Sequence, residues 1–464
     1  MTVPATISDI ELLRTRMAGA IGRRMPGAIE RLGWSAGQLV AFQRDRLRAL
    51  LAHAIECSPF HAERLRGIDP GRFELADLPR LPVMTKAQMM ADFDRATTDR
   101  RLTRDLVEQH LAGSATEPSL LLGEYLCLVS GGSSGLRGLF VQTVGEYAEF
   151  AASMMRRAMA AAMTSGGLPP EGLVIGIVGA GSPVHSSGLA AATATRPPVR
   201  LIPVPASLPT AEIVRRLNAA QPPALMSYAT KLAELAHDQR EGRLRLAVRS
   251  VSSNSEALTE QARTAIGEAF GVPVIDNFVS TEGLVGHSEP GRPVFTLASD
   301  SCIAECVDDA GHPVPDGTTS AKVLITNLHN LTQPLIRYEL TDRFTPAAAS
   351  AGGYLRACVD GRSDDLFRYG EASVHPSVFA AVLLPVPAIR EFQVRQTGDG
   401  ADIAVVAEGD FDRGTVTAAI ADGLCQAGVT SPHVSIRRVE ALGRDAMTGK
   451  SRRFIPLGRD ARTS

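Results

Sequence analysis

Apolar residues recur at intervals of three and four near the start of the chain, which is the spacing of one helix face. The clearest repeat follows a candidate N-cap, Ser35, and comprises Leu39, Phe42, Leu47, Leu50, Leu51 and Ala54. We therefore predict helical structure from about Ser8 to His61. Pro79 and Pro82 interrupt the pattern afterwards, so this segment is expected to form a helical layer around a core built from later residues.

Short apolar runs alternate with helical patterns beyond residue 120. The helical patterns cover Tyr147–Met163 and Ala211–Ala219. The runs that predict strands are Tyr125–Val129, Leu173–Val178, Val199–Val204 and Val272–Ile275, followed by two with denser β character, Cys302–Val307 and Lys322–Thr326. This alternation favours an α/β architecture with mixed sheets and helices.

The chain has 464 residues, which is long for one hydrophobic core. After Arg362 it has strand patterns of its own, at Phe392–Val394, Ile403–Val406 and Val434–Ile436. We expect a large N-terminal domain over residues 1–363 and a small α+β domain over residues 364–464, with the boundary near Asp364.

Composition narrows the function classes. The formal net charge is -2, so broad attraction to nucleic acid or to a membrane surface is not expected. Six Cys lie apart without a Cys-x-x-Cys pair, and Cys302 and Cys306 are expected to be core thiols. The N-terminus lacks the pattern of a signal peptide, and the apolar run Leu173–Ala180 is too short to span a bilayer. We therefore expect a cytoplasmic protein.

The first segment with chemical character follows a predicted strand and reads Ser130-Gly131-Gly132-Ser133-Ser134-Gly135-Leu136-Arg137-Gly138. Glycine permits backbone angles that turn successive N–H groups toward one anion, and serine hydroxyls add donors. A nucleotide triphosphate needs such a loop. Taken alone, the segment is equally typical of a surface turn.

Two other interpretations of short motifs are weaker. Gly131 to Gly135 fits the Gly-x-Ser-x-Gly elbow of α/β-hydrolases with Ser133 as nucleophile, but that elbow opens a helix, whereas Leu139–Val141 predicts a strand. Gly449-Lys450-Ser451 is similar to the end of a Walker A loop, but the spacing from Gly443 is one residue too long. A hydrolase is disfavoured and a P-loop NTPase is rejected.

A second chemical segment is Asp276-Asn277-Phe278-Val279-Ser280-Thr281-Glu282-Gly283. Glu282 is a candidate Mg²⁺ ligand, because one carboxylate plus phosphate oxygens is the usual arrangement for that ion. Thr281 is a candidate donor to a phosphate, and Phe278 is a candidate neighbour of an adenine ring. By itself, a Thr-Glu-Gly sequence is most often only a turn.

Three charged residues farther along complete the set of candidates. Asp342 has the chemistry to accept hydrogen bonds from two ribose hydroxyls, and Arg362 to cover a phosphate or ribose oxygen. Lys450 lies in a Gly-flanked loop and is a candidate point charge for a phosphate.

Together and in this order, these segments resemble the adenylate-forming superfamily, which includes acyl- and aryl-CoA synthetases, nonribosomal peptide synthetase adenylation domains and luciferases. The resemblance extends from about Arg44 to Phe454. The segment Leu78-Pro79-Arg80-Leu81-Pro82-Val83-Met84-Thr85-Lys86 is similar to the phenylacetate–CoA ligase branch. The resemblance implies a large α/β domain and a small mobile lid domain that rotates between two half-reactions.

The resemblance also implies a role for each matching position. In the phosphate loop the expected contacts are Ser130, Gly132, Ser133, Ser134, Gly135 and Arg137. The nucleotide is otherwise expected to meet Glu256, Ala257, Phe278, Thr281, Glu282 with Mg²⁺, Asp342 and Arg362. Asp364 matches the hinge and Lys450 the catalytic lysine. His185 resembles a residue of the acyl pocket, and Tyr228 lies in a second candidate pocket segment.

Three positions depart from the family pattern. Leu136-Arg137 stand where Lys-Pro is usual, Phe278-Val279 where Tyr-Gly is usual, and Glu339-Leu340 where Arg-Thr is usual. The second change removes a phenolic hydroxyl. Because Lys450 and Glu282 match, we expect an active enzyme.

The implied function is ATP-dependent activation of a carboxylic acid as acyl-adenylate, with release of pyrophosphate and transfer to a thiol, for which coenzyme A is the expected partner. A carrier protein or an amine as acceptor would follow the same first step. A hydrolase and a non-catalytic acyl-nucleotide binding protein remain as distant alternatives. Pocket segments rich in Gly, Ala and Ser favour a neutral aromatic or medium-sized acid.

Overall fold

The computed structural model describes residues 8–114, 117–130, 137–164, 167–362, 366–374, 376–383, 386, 388–443 and 452–457. Within these ranges the α-helices are α1 (Asp9–Glu30), α2 (Ala36–Cys57), α3 (Pro59–Arg64), α4 (Lys86–Ala91), α5 (Phe93–Ala96), α6 (Arg104–Gly113), α7 (Val144–Thr164), α8 (Ser186–Thr193), α9 (Thr210–Ala220), α10 (Ala229–Arg240), α11 (Glu260–Phe270), α12 (Ser377–Leu383) and α13 (Arg413–Gln426). Short 3-10 helices cover Arg31–Gly33, Pro70–Arg72 and Leu75–Arg80.

The strands in the same ranges are β1 (Tyr125–Val129), β2 (Leu139–Thr143), β3 (Leu173–Gly179), β4 (Thr195–Arg196), β5 (Val199–Pro205), β6 (Ala224–Tyr228), β7 (Ser250–Asn254), β8 (Val274–Val279), β9 (Val285–Ser288), β10 (Phe295–Leu297), β11 (Cys302–Val307), β12 (Lys322–Asn327), β13 (Tyr338–Leu340), β14 (Asp342–Ala347), β15 (Arg356–Arg362), β16 (Phe367–Tyr369), β17 (Ala372–Val374), β18 (Ile389–Gln396), β19 (Gly400–Ala407), β20 (His433–Arg438) and β21 (Phe454–Ile455). The predicted α/β class is confirmed.

The N-terminal helical layer is present, with a break between α1 and α2 that the apolar spacing did not indicate. Ser35 caps α2: its hydroxyl accepts the N–H of Gln38 at 3.4 Å, and the Gln38 side-chain oxygen accepts the N–H of Ser35 at 3.0 Å. This reciprocal cap satisfies the first N–H groups of a new helix and so favours a fresh start at residue 36. α1 packs along α7, while the apolar face of α2 is buried.

A ten-stranded sheet forms the centre of the N-terminal part, in the order β14-β15-β10-β9-β8-β7-β6-β3-β5-β4. The strands β5, β3, β6, β7 and β8 run parallel, and the other pairs are antiparallel. Helices α9, α10 and α11 cover one face through a cluster that includes Leu217, Leu232 and Ile266. The other face meets α1 and α7 through Ala28, Ala152 and neighbouring side chains. Parallel strands buried on both faces explain the continuous apolar runs in the sequence.

The segment after the Ser- and Gly-rich loop is a strand. β2 begins at Leu139 and pairs antiparallel with β1, so that Val129 stands opposite Leu139. A nucleophile elbow needs a helix directly after its serine. The hydrolase alternative therefore loses its structural basis.

The chain after residue 366 builds its own sheet and core. The sheet order is β20-β19-β18-β21, and the cluster beneath it includes Phe367, Phe379, Val394, Ile403 and Leu424. Asp364 and its neighbours lie outside the described residues. The division into 1–363 and 364–464 and the hinge therefore stay predictions.

Arg337 ties the N-terminal segment to the β-structure. Its guanidinium donates to both carboxylate oxygens of Glu305 on β11 at 3.0 Å, and to the carbonyl oxygens of Pro79 at 3.2 Å and Leu81 at 2.8 Å. The backbone continues the attachment, because Met84 N–H donates to the Arg337 carbonyl at 3.0 Å. The side chains of Arg337 and Glu305 are 4% and 12% exposed, so this is a nearly buried ion pair.

We predict that Glu305→Ala lowers the free energy of unfolding by about 3–5 kcal/mol, because it leaves the Arg337 charge buried without its partner. The matched control is Glu108→Ala, which removes the exposed pair of Arg104 and Glu108 and should cost about 0.5 kcal/mol or less. Urea denaturation of the two variants measures both values. Equal losses would contradict the role of the buried pair.

Candidate functional site

The direction of winding changes between β3 and β6. From β3 the chain passes through α8 and β4 to β5 on one side, and it returns through α9 to β6 on the other side of β3. Connections that leave the carboxyl ends of adjacent strands in opposite directions open a crevice, and α/β proteins bind ligands there. The carboxyl ends of these parallel strands are therefore the candidate location of the site.

The two predicted pocket residues lie near the carboxyl ends of β3 and β6. Tyr228 ends β6 and is 1% exposed, and its hydroxyl would lie 3.9 Å from a Cβ on Gly179, the last residue of β3. His185 occupies the N-cap position of α8 just after β3, without a side-chain capping bond. The carbonyl of the adjacent Val184 accepts a hydrogen bond from the N–H of Val129 at 2.9 Å, which places this turn beside the end of β1.

Glu256 lies in the turn after β7 and is held by the start of α10. Its Oε2 accepts the N–H and the hydroxyl of Thr230 at 3.0 and 2.7 Å. Its Oε1 is buried and has no hydrogen-bond partner among the described residues. Ala257 follows it and is exposed. Both residues are at the carboxyl edge of the sheet, next to Tyr228 on the neighbouring strand, while their contact with adenine stays a prediction.

The Thr-Glu-Gly sequence forms a tight turn between β8 and β9. Ser280 and Leu284 close it through two backbone-derived bonds: Ser280 N–H donates to the Leu284 carbonyl at 3.0 Å, and Leu284 N–H donates to the Ser280 hydroxyl at 3.2 Å. Glu282 is 8% exposed, and its carbonyl accepts a hydrogen bond from the Asn327 amide at 2.9 Å. Thr281 lies within the turn and is partly buried.

The predicted ribose and phosphate residues are brought together by strand register. Asp342 begins β14 and stands opposite Arg362, the last residue of β15. Arg362 donates to the hydroxyl of Thr341 at 2.6 Å. Phe278 joins this group from β8, since its ring packs edge-on against Phe344 of β14 at 5.1 Å between centroids.

The described ends of the phosphate loop converge on one serine hydroxyl. Ser130 Oγ accepts the N–H of Gly138 at 3.0 Å, and Lys86 Nζ lies 3.5 Å from the same oxygen. Gly138 is enclosed, because a Cβ there would stand 2.9 Å from the ring of Phe140. Arg137 is exposed. Gly132, Ser133, Ser134 and Gly135 lie outside the described residues, as do Asp364 and Lys450.

Comparisons with known proteins agree with this architecture. The chain is 26% identical over 396 residues to phenylacetate–coenzyme A ligase of Thermus thermophilus. The aligned region covers 81% of this chain and 83% of that protein. A structure of 2-hydroxyisobutyryl-CoA ligase in the postadenylation state, in complex with R3-HIB-AMP, matches with a TM-score of 0.68 and 18% identity over 91% of this chain and 90% of that chain. The chain is similar to phenylacetate–CoA ligase over most of its length and has the fold of these CoA ligases.

A further solved structure shares this fold. Anthranilate CoA ligase AuaEII in complex with anthranoyl-AMP matches with a TM-score of 0.50 and 19% identity, over 69% of this chain and 64% of that chain. No family model matches the chain. The resemblance inferred from the motifs is therefore confirmed by whole-chain comparisons.

The sequence motifs missed Lys86 and Tyr338 as candidate residues of this ligase fold. Lys86 comes from the segment Leu78–Lys86 and reaches Ser130 only because Arg337 attaches that segment to β13. Lysine is rare here, with Lys86, Lys231, Lys322 and Lys450 as the four examples among 48 basic residues. The rarity of lysine is the feature of the sequence that singles out Lys86 as a candidate functional residue.

The described residues alone do not form a metal centre. No group of three or more His, Cys, Asp or Glu side chains in this part of the chain is arranged to hold a metal ion. A single carboxylate, Glu282, fits Mg²⁺ that takes its other ligands from phosphate oxygens and water. As to membrane association, no helix among the described residues is both long and apolar enough to cross a bilayer.

Gly283 gives a test of how the Glu282 turn is held. Its φ is +108°, and a Cβ there would stand 2.2 Å from the Asn327 amide that bonds the Glu282 carbonyl. We predict that Gly283→Ala displaces Asn327 and weakens Mg²⁺-ATP binding at least tenfold, the scale of about 1.4 kcal/mol. The control is Gly291→Ala, since Gly291 also has a positive φ of +73° but only Pro273 nearby, at 3.8 Å.

Each of the two substitutions puts a Cβ on a backbone with positive φ, which costs about 1–2 kcal/mol of strain. Urea denaturation should therefore show a loss for each variant, with the larger loss for Gly283→Ala. Titration calorimetry with Mg²⁺-ATP should show weaker binding only for Gly283→Ala. Equal effects of the two variants on ATP affinity would contradict this account of the turn.

Proposed function

We propose that this protein is an AMP-forming acid–thiol ligase. It activates a carboxylic acid with ATP as an acyl-adenylate, releases pyrophosphate, and transfers the acyl group to coenzyme A. The observation that carries this proposal is that Glu282 of the β8–β9 turn and Arg362 of β15 both lie within electrostatic reach of the buried Tyr338, in a chain with the fold of CoA ligases. A non-catalytic acyl-nucleotide binding protein would keep that fold but show no turnover.

The first half-reaction brings two anions together. A carboxylate oxygen attacks the α-phosphorus of ATP, the bond to the β-phosphate oxygen breaks, and pyrophosphate leaves. Cations must offset the repulsion between the carboxylate and the triphosphate. We assign this role to Lys86, which lies beside Ser130, and to Arg362, which stands opposite Asp342. In this proposal Lys86 also supplies the charge that the family pattern places in the phosphate loop.

Mg²⁺ belongs to the proposal as a ligand of Glu282. A buried carboxylate that faces a triphosphate provides one hard oxygen ligand, and phosphate oxygens provide others. When bound, the ion would offset charge on the leaving pyrophosphate. The turn Ser280–Leu284 fixes the backbone of Glu282, so the carboxylate is presented from a rigid position.

The second half-reaction needs an open path to the acyl carbon. The thiol sulfur attacks the carbonyl carbon of the acyl-adenylate, a thioester forms, and AMP leaves with the phosphate oxygen. Lys450 as the cation of the first step and rotation of residues 364–464 about Asp364 stay parts of the proposal. A carrier-protein thiol remains a second candidate acceptor.

We propose an aromatic acid as substrate. The pocket segment after β3 is rich in Gly, Ala and Ser, and the aromatic Tyr228 ends the neighbouring strand β6, which suits a neutral aromatic group. Phenylacetate and anthranilate, named in two of the similar ligases, are aromatic, whereas 2-hydroxyisobutyrate is not. His185, at the N-cap position of α8 just after β3, is the second residue that we propose for this pocket.

We predict that turnover makes AMP and pyrophosphate, and that it depends on the added acid. Incubation with Mg²⁺-ATP, coenzyme A and a panel of aromatic and aliphatic acids, followed by chromatography of the nucleotides, tests both points. A reaction without acid is the control. ADP as product would contradict the proposal, and no product with any acid would favour the non-catalytic binding protein.

We predict that Glu282→Gln lowers kcat/KM for Mg²⁺-ATP by about 10²-fold or more and raises the Mg²⁺ concentration needed for half-maximal rate, because an amide is a weaker ligand for a hard cation. The control is Glu289→Gln, an exposed position just after β9 in the same hairpin. Full turnover of Glu282→Gln at limiting Mg²⁺ would show that this carboxylate does not hold the ion.

A further inference from the structure

Tyr338 lies where the elements of the proposed nucleotide site meet. It begins β13 and is fully buried. Its backbone forms a parallel bridge with Met84, two residues before Lys86. Its ring packs edge-on against Phe140 of β2 at 6.5 Å between centroids, on the strand that follows the phosphate loop. Two separate parts of the site, the segment that carries Lys86 and the strand after the phosphate loop, therefore adjoin this residue.

Strand register orients the Tyr338 ring toward the Glu282 turn. Tyr338 stands opposite Ile325 on β12, so their side chains share a face of that sheet. Asn327 is two residues farther along β12 and has the same orientation, because side chains alternate along a strand. The amide of Asn327 bonds the carbonyl of Glu282 at 2.9 Å. The phenol and the Glu282 turn thus lie on one side of the sheet.

The charges of the site reach the phenol. Burial raises the pKa of Tyr338, the carboxylate of Glu282 raises this pKa further, and the guanidinium of Arg362 opposes the rise. The hydroxyl therefore stays protonated at neutral pH and can donate a hydrogen bond. It lies within electrostatic reach of the proposed metal ligand and of the proposed phosphate-binding arginine.

The Tyr338 hydroxyl is buried and has no hydrogen-bond partner among the described residues. Leaving a buried hydroxyl without a partner costs stability, so such a group calls for an explanation. Tyr147 is a useful contrast, because its hydroxyl is also buried without a partner in the described part of the chain. For Tyr147, burial alone raises the pKa, and its ring packs against Phe150 at 5.8 Å. Of these two described tyrosines, Tyr338 is the one that combines an unsatisfied donor with the charges of the site.

We propose that Tyr338 is a nucleotide-binding residue whose phenol donates a hydrogen bond to a phosphate oxygen of bound ATP. This inference rests on the proposed function. It also accounts for the aromatic position at Phe278, where the family pattern has a tyrosine: Phe278 has no hydroxyl and packs against Phe344, while Tyr338 supplies a phenol to the same site from β13.

The test compares Tyr338→Phe with Tyr147→Phe in the full chain. Each change removes one buried hydroxyl and keeps the ring. Titration calorimetry with Mg²⁺-ATP, without acid or coenzyme A, should show Kd raised roughly 10- to 100-fold for Tyr338→Phe, the range for losing one hydrogen bond to a charged group. Tyr147→Phe should bind ATP as the unchanged protein does. Thermal unfolding without ligand should show that both variants are folded.

Steady-state kinetics give a second measurement. KM for ATP should rise in Tyr338→Phe while KM for coenzyme A stays unchanged. An ATP affinity within twofold of the unchanged protein, or an equal loss in Tyr147→Phe, would overturn the assignment of Tyr338. If the unchanged protein itself neither binds ATP nor releases pyrophosphate, the proposed function fails and the assignment fails with it.

Discussion

The attachment of Arg337 to Glu305 and to the carbonyl groups of Pro79 and Leu81 is the interaction on which the geometry of the site depends. Arg337 has a left-handed backbone with φ of +47°, which is uncommon for a residue with a side chain. This conformation is held because the guanidinium and the backbone are both bonded. The attachment fixes the start of β13 beside the segment that carries Lys86. Two candidate residues, Lys86 and Tyr338, are positioned by it.

The other candidate residues lie at the ends of strands in the ten-stranded sheet. Glu256 and Tyr228 are at the carboxyl ends of parallel strands, where helix starts and turns leave backbone donors exposed to a ligand. Glu282 lies at a hairpin tip, and the Asp342–Arg362 pair comes from antiparallel strands farther along the same sheet. The site therefore combines rigid elements from distant parts of the chain, which suits an enzyme that must hold two anions in contact.

Local patterns were sufficient for elements that depend on neighbours in sequence. The cap at Ser35 and the strand bounds of β1 and β11 agree with the predictions, since helix spacing and apolar runs are local signals. The family resemblance supplied the site residues, but not their assembly. That Asp342 faces Arg362 is a matter of strand register, and no local pattern specifies which strands pair. Lys86 was missed for the same reason, because it reaches Ser130 through a long-range attachment.

The central claim is that a nucleotide binds with its phosphates between Ser130, Glu282 and Tyr338. A crystal structure with the unreactive analogue α,β-methylene-ATP and Mg²⁺ tests it most directly, and it needs no knowledge of the acid. We predict triphosphate density between these three side chains and ribose beside Asp342. Density for the nucleotide elsewhere, for example in the open cleft between α11 and β8 lined by Arg263, would contradict the account.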